Sequence, residues 1–271
     1  MAEFAMAEVS VVIPCYRCKD TIERAVASVA AQTLIPAEVI LVEDRSGNGT
    51  IDALHALQNR YPDGWVHVIR QPENRGPGEA RNAGWERAEQ PYIAFLDADD
   101  SWHPQKIEIQ YRWMCKHPDV VLTGHAVRRL ADDEEATSAS RVDTMNAEFY
   151  LVTRNRLLWS NRFPTRSVML RRNLPSRFAP GKYYSEDYLL WLSIACEGQK
   201  IARCDLPLAF LHKASYGKGG LSGQLWRMQK GQLDTYAKVL QSGCIGKPLY
   251  AFLVAWSCLR FLRRALIQGM R

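Results

Sequence analysis

The densest chemistry in the chain is Asp97-Ala98-Asp99-Asp100, three carboxylates in four residues directly after the apolar run Tyr92–Leu96. Carboxylates this close repel one another unless a cation sits among them. Mg²⁺ and Mn²⁺ are hard ions that take a few carboxylates together with phosphate oxygens. The tetrad therefore reads as a metal site for a diphosphate, and the plainer reading is a solvated turn before Trp102-His103-Pro104. A second candidate is Asn74–Gly84. Gly76, Pro77 and Gly78 open a helix there, with Arg75 at its start and Arg81 in its first turns. A helix N-terminus flanked by guanidinium groups suits phosphate, and two exposed arginines at a turn would look the same. Asp44 follows the apolar run Val39–Val42; it can accept from a nucleobase N–H or cap a turn. Glu186-Asp187 opens an apolar helical run. A carboxylate there can act as a general base, although on physics alone a capping or dipole role is the simpler reading.

These residues need elements to place them. Val9–Ile13 is β-branched, apolar and ends at Pro14, so it reads as a buried strand, as do Val39–Val42, Val66–Ile69 and Tyr92–Leu96. Helical spacing marks the segments between them: one from Asp20-Thr-Ile-Glu23, which has capping-box spacing, to about Gln32, then Ile51–Arg60 and Gly78–Ala88. Strands alternating with helices imply an α/β fold, a mostly parallel central sheet with helices on both faces. Ligands in such sheets sit beyond the carboxyl ends of the strands. Pro14–Arg17, Glu43–Ser46 and Asp97–Asp100 fall at three such ends and imply one shared site. Further on, Val120–Thr123 and Leu206–Leu211 read as strands, Ala131–Ser140 as a polar surface loop, and Glu186–Glu197 as a helix with Gly198 as its C′ residue.

The 271 residues are 47% apolar and 24% charged, which excludes a disordered chain and permits one large α/β domain with an appendage. The net charge of +6 favours an anionic partner without choosing it. Basic residues are not interleaved with aromatics on one element, so a nucleic-acid partner is not expected. Seven scattered cysteines, with only Cys15 and Cys18 at CxxC spacing, read as reduced thiols in or near a core. No signal-peptide pattern is visible, and the expected location is the cytoplasm. The tail is distinct. Pro248–Leu259 is mostly apolar, and residues 247–271 hold five basic residues and no acid. About 12 apolar residues fall short of the about 20 that a spanning helix needs. A helix lying at the inner face of the cytoplasmic membrane, as a peripheral contact, is favoured over one packed on a partner subunit. The expected organisation is a start segment outside the fold at 1–8, a first half at 9–123 that carries the three strand-end clusters, a second half at 124–223 that carries Glu186-Asp187, and a helical basic-apolar tail at 224–271.

Taken together, the stretches resemble family 2 of the inverting glycosyltransferases, with the GT-A fold. Val9-Ser-Val-Val-Ile-Pro-Cys-Tyr16 looks like the family's opening strand. Ala30-Ala-Gln-Thr33 resembles its S-x-x-x-Q helix end, Val42–Thr50 its V-D-D-G-S-x-D-x-T turn, and Asn74–Gly84 its N-x-G-x-x-x-A-R-N-x-G segment. Phe95–Asp100 looks like its DxD motif, and Ser185–Trp191 resembles its E-D-x-D-L-W segment. The resemblance implies that Pro14, Tyr16 and Asp44 line the nucleoside pocket, with Arg75, Arg81 and Ala98 also on the donor side and Arg81 near the pyrophosphate. It implies Asp97 and Asp99 as ligands of Mn²⁺ or Mg²⁺, Asp99 the more direct, with His212 as a possible third. Asp187 would be the base, which would make 9–123 the nucleotide-sugar-binding half and 124–223 the acceptor-binding half. The expected donor is a nucleotide-sugar, a UDP-sugar foremost, and the expected acceptor a glycan or lipid-linked glycan of surface-polysaccharide biosynthesis. Glu43 and Arg45 depart from the family's Asp and Gly. Gln224-Leu-Trp-Arg-Met228 keeps the Gln and Arg of the processive synthases' Q-x-x-R-W but not the Trp. A processive synthase-like enzyme and a catalytically silent nucleotide-binding module at a membrane are the alternatives. A sugar-nucleotide-forming nucleotidyltransferase is disfavoured, because Pro14-Cys-Tyr-Arg17 lacks the Gly-rich loop such enzymes carry after the first strand.

Overall fold

A computed structural model of the chain describes residues 6–130, 147–212 and 224–269. In chain order the elements are β1 (Ala7–Cys15), α1 (Ile22–Ala30), β2 (Pro36–Glu43), α2 (Thr50–Gln58), β3 (Val66–Arg70), α3 (Pro77–Arg87), β4 (Tyr92–Phe95) and β5 (Asp100–Trp102). There follow α4 (Lys106–Lys116), β6 (Val120–Arg129), β7 (Tyr150–Leu151), α5 (Arg154–Trp159), a 3-10 turn at Thr165–Ser167, β8 (Met169–Arg171), α6 (Glu186–Cys196), β9 (Lys200–Leu211), α7 (Leu225–Gln241) and α8 (Lys247–Gly269).

Among the described residues the strands form one sheet in the order β3-β2-β1-β4-β8-β6-β9-β5, with β7 also on β9. β1, β2, β3 and β4 pair in parallel, as the alternation requires. β8 then runs antiparallel to both β4 and β6. β6 and β9 are parallel, and β5 returns antiparallel to β9. Because β1, β2 and β4 point the same way, their carboxyl ends lie along one edge. Asp44 N–H donates to the Cys15 carbonyl (2.9 Å) and Arg17 N–H to Ser46 Oγ (2.9 Å), which ties the first two ends together. Arg24 reaches the Asp99 carbonyl at 2.7 Å and ties in the third.

The buried strands divide their side chains between two cores, as a period of two dictates. Val9, Val11, Ile13, Val39 and Leu41 face Val26, Leu54 and Ile107, contributed by α1, α2 and α4. Val12, Ile40, Val42 and Phe95 face Trp85, Tyr188, Trp191 and Tyr236, from α3, α6 and α7. Gly84 lets α3 close on the sheet: a Cβ there would lie 2.4 Å from Val12 Cγ1.

Several expectations are corrected. β1 opens at Ala7, inside the segment 1–8 expected to precede the fold; residues 1–5 lie outside the described residues. α1 has Thr21 at its N-cap and no side-chain capping bond. Glu23, expected in a capping box, instead pairs with Arg60. Not every thiol is reduced: Cys196 at the end of α6 is bonded to Cys244 in the α7–α8 turn, with Cα atoms 5.7 Å apart. The helix ends bring these two together, which spacing in the sequence could not reveal. Cys15 and Cys18 are unbonded and buried. Gly198, with φ of 79°, ends α6 in the C′ role expected of it. The expected loop Ala131–Ser140 lies outside the described residues. The stretch expected as a helical tail, 224–271, folds as α7 and α8, and the apolar and basic residues of 247–269 share the one helix α8. Leu253 and Ser257 face α7, while Leu249, Phe252, Trp256, Leu259, Leu262 and Leu266 are exposed. No helix of the described residues is long and apolar enough to cross a membrane.

Candidate active site

The acidic tetrad stands where β4 ends and β5 begins, and it is threaded with arginine. Asp97 Oδ1 lies 2.8 Å from Arg81, and its other oxygen lies 3.2 Å from Arg166. Arg166 also lies 2.6 Å from Asp100. The two guanidiniums hold the Asp97 carboxyl below its usual pKa against the opposing effect of burial. Burial pushes Asp100 up to about 8 despite Arg166. Asp99 is partly exposed; its charge acts on Asp100, Arg166 and His212, so it faces the same cleft. His212 follows β9, which pairs antiparallel with β5. Its Nε2 is 2.7 Å from Ser101 Oγ, and burial lowers its pKa. Ala98 is buried in the core beneath the tetrad.

Arg81 connects this cluster to α6. Its second arm lies 2.9 Å from Glu186 Oε1. A guanidinium this deeply buried is stable only between such acids. Glu186 is raised to about 7 by burial and by neighbouring Asp187, with Arg81 opposing. Asp187 Oδ2 accepts from Asn161 Nδ2 (2.9 Å) and Thr165 Oγ1 (3.2 Å), and Oδ1 from the Tyr188 N–H (2.6 Å). Burial raises its pKa, and Arg81 and these three donors restrain the rise. The carboxylates of Asp97 and Asp187 thus share one cleft, joined by Arg81 on one side and by the 3-10 turn bearing Thr165 and Arg166 on the other.

At the carboxyl end of β1, Pro14 is half-buried and Tyr16 exposed, with the Arg17 guanidinium 5.4 Å from the Tyr16 ring centroid. Asp44 is 2% exposed, and its two oxygens accept from the N–H groups of Arg75 (2.9 Å) and Gly76 (2.8 Å). Any contact with a base is additional to that loop-holding task. The Arg75 side chain turns outward and pairs with Glu73 and, at 3.9 Å, with Glu79. Gly76 has φ of 86°, and a Cβ there would lie 2.5 Å from the Tyr183 ring, so only glycine fits. The non-glycine residues with positive φ among the described residues are Arg17, Arg45 and Ser185. All three border this cleft, where backbone strain collects in functional sites. Arg45, standing where the family has Gly, takes the left-handed conformation with φ of 55° and donates from Nε to the Pro72 carbonyl.

The structure brings together Asp97, Asp99, Asp44, Arg81 and Asp187, which the sequence singled out. Sequence reasoning missed Asn161, Thr165, Arg166 and Arg24. The first three lie in a stretch without periodicity, and only the fold brings them to the carboxylates.

A sheet of this order, with acidic groups at its carboxyl edge facing a carboxylate at the head of α6, defines a GT-A glycosyltransferase. The chain belongs to that class through its family: residues 10–185 match the model of Glycosyl transferase family 2. It is 31% identical over 244 residues to the amylovoran biosynthesis glycosyltransferase AmsE of Erwinia amylovora, covering 87% of this chain and 86% of that one. It is 30% identical over 186 residues, 69% of each chain, to WfgD of Escherichia coli, a UDP-Glc:α-D-GlcNAc-diphosphoundecaprenol β-1,3-glucosyltransferase. Among solved structures, the mannosyltransferase PcManGT from Pyrobaculum calidifontis, in complex with GDP-Man and Mn²⁺, superposes with a TM-score of 0.66 at 19% identity, over 97% of this chain and 76% of that one.

Proposed function

We propose that the protein moves a single sugar, with inversion, from a UDP-sugar to a lipid-linked glycan acceptor in surface-polysaccharide biosynthesis. The observation that supports it most is Asp187: a carboxylate in the donor cleft, oriented by two side-chain donors and kept more basic than an ordinary aspartate. In that role it takes the proton of the acceptor hydroxyl as the oxygen attacks the anomeric carbon from the face opposite the leaving group. One displacement suffices, so no nucleophilic side chain is required. Asn161 and Thr165 fix the carboxylate, and Arg81 keeps Glu186 and Asp97 from repelling it.

A divalent cation, Mn²⁺ or Mg²⁺, fits with one amendment. Among the described residues no cluster of three or more His, Cys, Asp or Glu stands ready to hold one, and Asp97 is engaged by Arg81 and Arg166. The donor set suits an ion that takes most of its ligands from diphosphate and water, with Asp99 as the direct ligand and His212 beside it. When bound, it would neutralise charge on the departing diphosphate.

The acceptor class is carried over from the names of the relatives, and α8 agrees with it. Its exposed leucines and aromatics, beside Arg263 and Arg264, suit peripheral contact with an anionic membrane at the cytoplasmic face. The test is a transfer assay with UDP-, GDP- and dTDP-sugars on a short-chain lipid diphosphate glycan, with the anomeric configuration read by NMR. A β-linked product from an α-linked UDP-sugar, dependent on Mn²⁺ or Mg²⁺, is expected. Retention of configuration, or transfer indifferent to chelator, would refute the mechanism.

A further inference from the structure

A groove between residues 181–184 and the first half of α7 holds charge that the catalytic cleft does not use. It encloses about 380 Å³ and is lined by Lys182, Tyr184, Arg227, Lys230, Asp234 and Lys238 among others. Four cations there face one acid. Lys182 forms the buried floor, with Nζ 3.0 Å from the Gly231 carbonyl and 2.5 Å from Asp234. Asp234 is also shared with Lys238 at 3.3 Å. Arg227 approaches the Tyr184 hydroxyl at 3.4 Å, and that hydroxyl donates to Gln224 at 2.9 Å. Lys230 stands 5.8 Å from the Trp226 ring centroid. Among the described residues no carboxylate pairs with Arg227 or Lys230.

The position of the groove tells what it could hold. Its wall at Tyr183 rests on Gly76, whose N–H is bound to Asp44. The same strand of chain runs directly into Ser185 and then Asp187. On its far side α7 packs against α8, with the Trp226 and Phe261 rings 5.2 Å apart. A cationic groove thus lies beside the segment that leads into α6 and Asp187, walled on its other side by α7. We infer that this groove binds a diphosphate carried by the acceptor, separate from the donor's diphosphate at the strand ends. The inference rests on the proposed lipid-linked acceptor and names where its head group sits.

The test compares the full chain with its Lys230→Glu/Lys238→Glu variant by calorimetry, in saturating UDP and Mg²⁺ so that the donor site is filled. The probes are farnesyl diphosphate and inorganic pyrophosphate. Both lysines are exposed or half-exposed, and an unchanged melting temperature checks the fold. Farnesyl diphosphate should bind the wild type and lose about tenfold or more in the variant. If the double variant melts early, Lys230→Gln alone should still lose about threefold. Equal binding to wild type and variant, or none to either, overturns the groove. Pyrophosphate bound as tightly as farnesyl diphosphate overturns its assignment to a lipid-borne head group. UDP-sugar hydrolysis, measured alongside, should be the same in both proteins. Its absence from both would count against the proposed enzyme and leave the binding comparison intact.

Discussion

Thr165 donates a hydrogen bond to Oδ2 of Asp187 at 3.2 Å, and the next residue, Arg166, pairs with Asp97 and Asp100. One short turn therefore holds Asp187 and screens the acidic cluster. Its hydrogen bond to the ionised carboxylate lowers the Asp187 pKa, as does that of Asn161. Removing either should raise it. In Thr165→Val and Asn161→Ala the acidic limb of the kcat–pH profile should move to higher pH, with the donor KM little changed. A limb that stays in place would show that the turn does not act through Asp187.

Replacing Asp187, the proposed base, is the sharper test. Asp187→Asn keeps the shape and the Tyr188 N–H contact but cannot take a proton. Transfer should fall by about 10²–10⁴-fold, the usual contribution of a positioned base, while UDP-sugar binding by calorimetry persists. Near-normal turnover would remove Asp187 from the mechanism.

The pair Glu186–Asp187 also sets a pH dependence of stability. Glu186 is raised to about 7, by burial first and by Asp187 second. A carboxyl that holds its proton more tightly when folded stabilises the fold fully below its unfolded pKa of about 4.5. That contribution is lost as pH rises through about 7. Glu186→Gln should flatten the fall in melting temperature between pH 5 and 8. An unchanged slope would mean that other groups govern this range.

Much of this site was readable from residue types because parallel strands obey a strict rule: polar clusters after successive apolar runs must emerge on one edge. That rule grouped Asp44, Asp97 and Asp99 at one edge, where the structure places them, and the base role proposed for Asp187 came from the resemblance. Partners were not readable. Arg81 looked like a phosphate ligand, yet it is locked between Asp97 and Glu186, 105 residues from the latter in sequence. Arg166 and Thr165 carry no local signal, since a 3-10 turn has no apolar period. The antiparallel return of β8 and β5 was hidden too, because a strand of three residues leaves no pattern.

The Cys196–Cys244 bond closes a loop of 48 residues between the end of α6 and the α7–α8 turn. Constraining such a loop in the unfolded chain contributes about 4 kcal/mol. Cys244→Ser, or reduction of the wild type, should lower the unfolding free energy by roughly 2–4 kcal/mol in urea titrations. Because Asp187 stands at the opposite end of α6 from Cys196, donor binding at low temperature should survive. Loss below about 1 kcal/mol would mean that the bond does not persist in solution.

Lys106 offers a change that should stabilise the protein. Its side chain is fully buried, and among the described residues its Nζ has no hydrogen-bond partner. The amine lies 3.9 Å from the Trp102 ring centroid, a contact that favours the charged form, but burial outweighs it and drives the pKa well below 10.5. The unfolded chain thus binds a proton that the folded one resists, and stability present above pH 10.5 is lost as pH falls. Lys106→Met fills the same volume without the polar atom. At pH 7 it should gain about 1–3 kcal/mol, the cost of an unsatisfied buried group, and the gain should shrink as pH approaches 10.5. Differential scanning fluorimetry from pH 7 to pH 10.5 would show it. A variant less stable than wild type across that range would mean that the amine is charged in the fold and that the Trp102 ring holds it there.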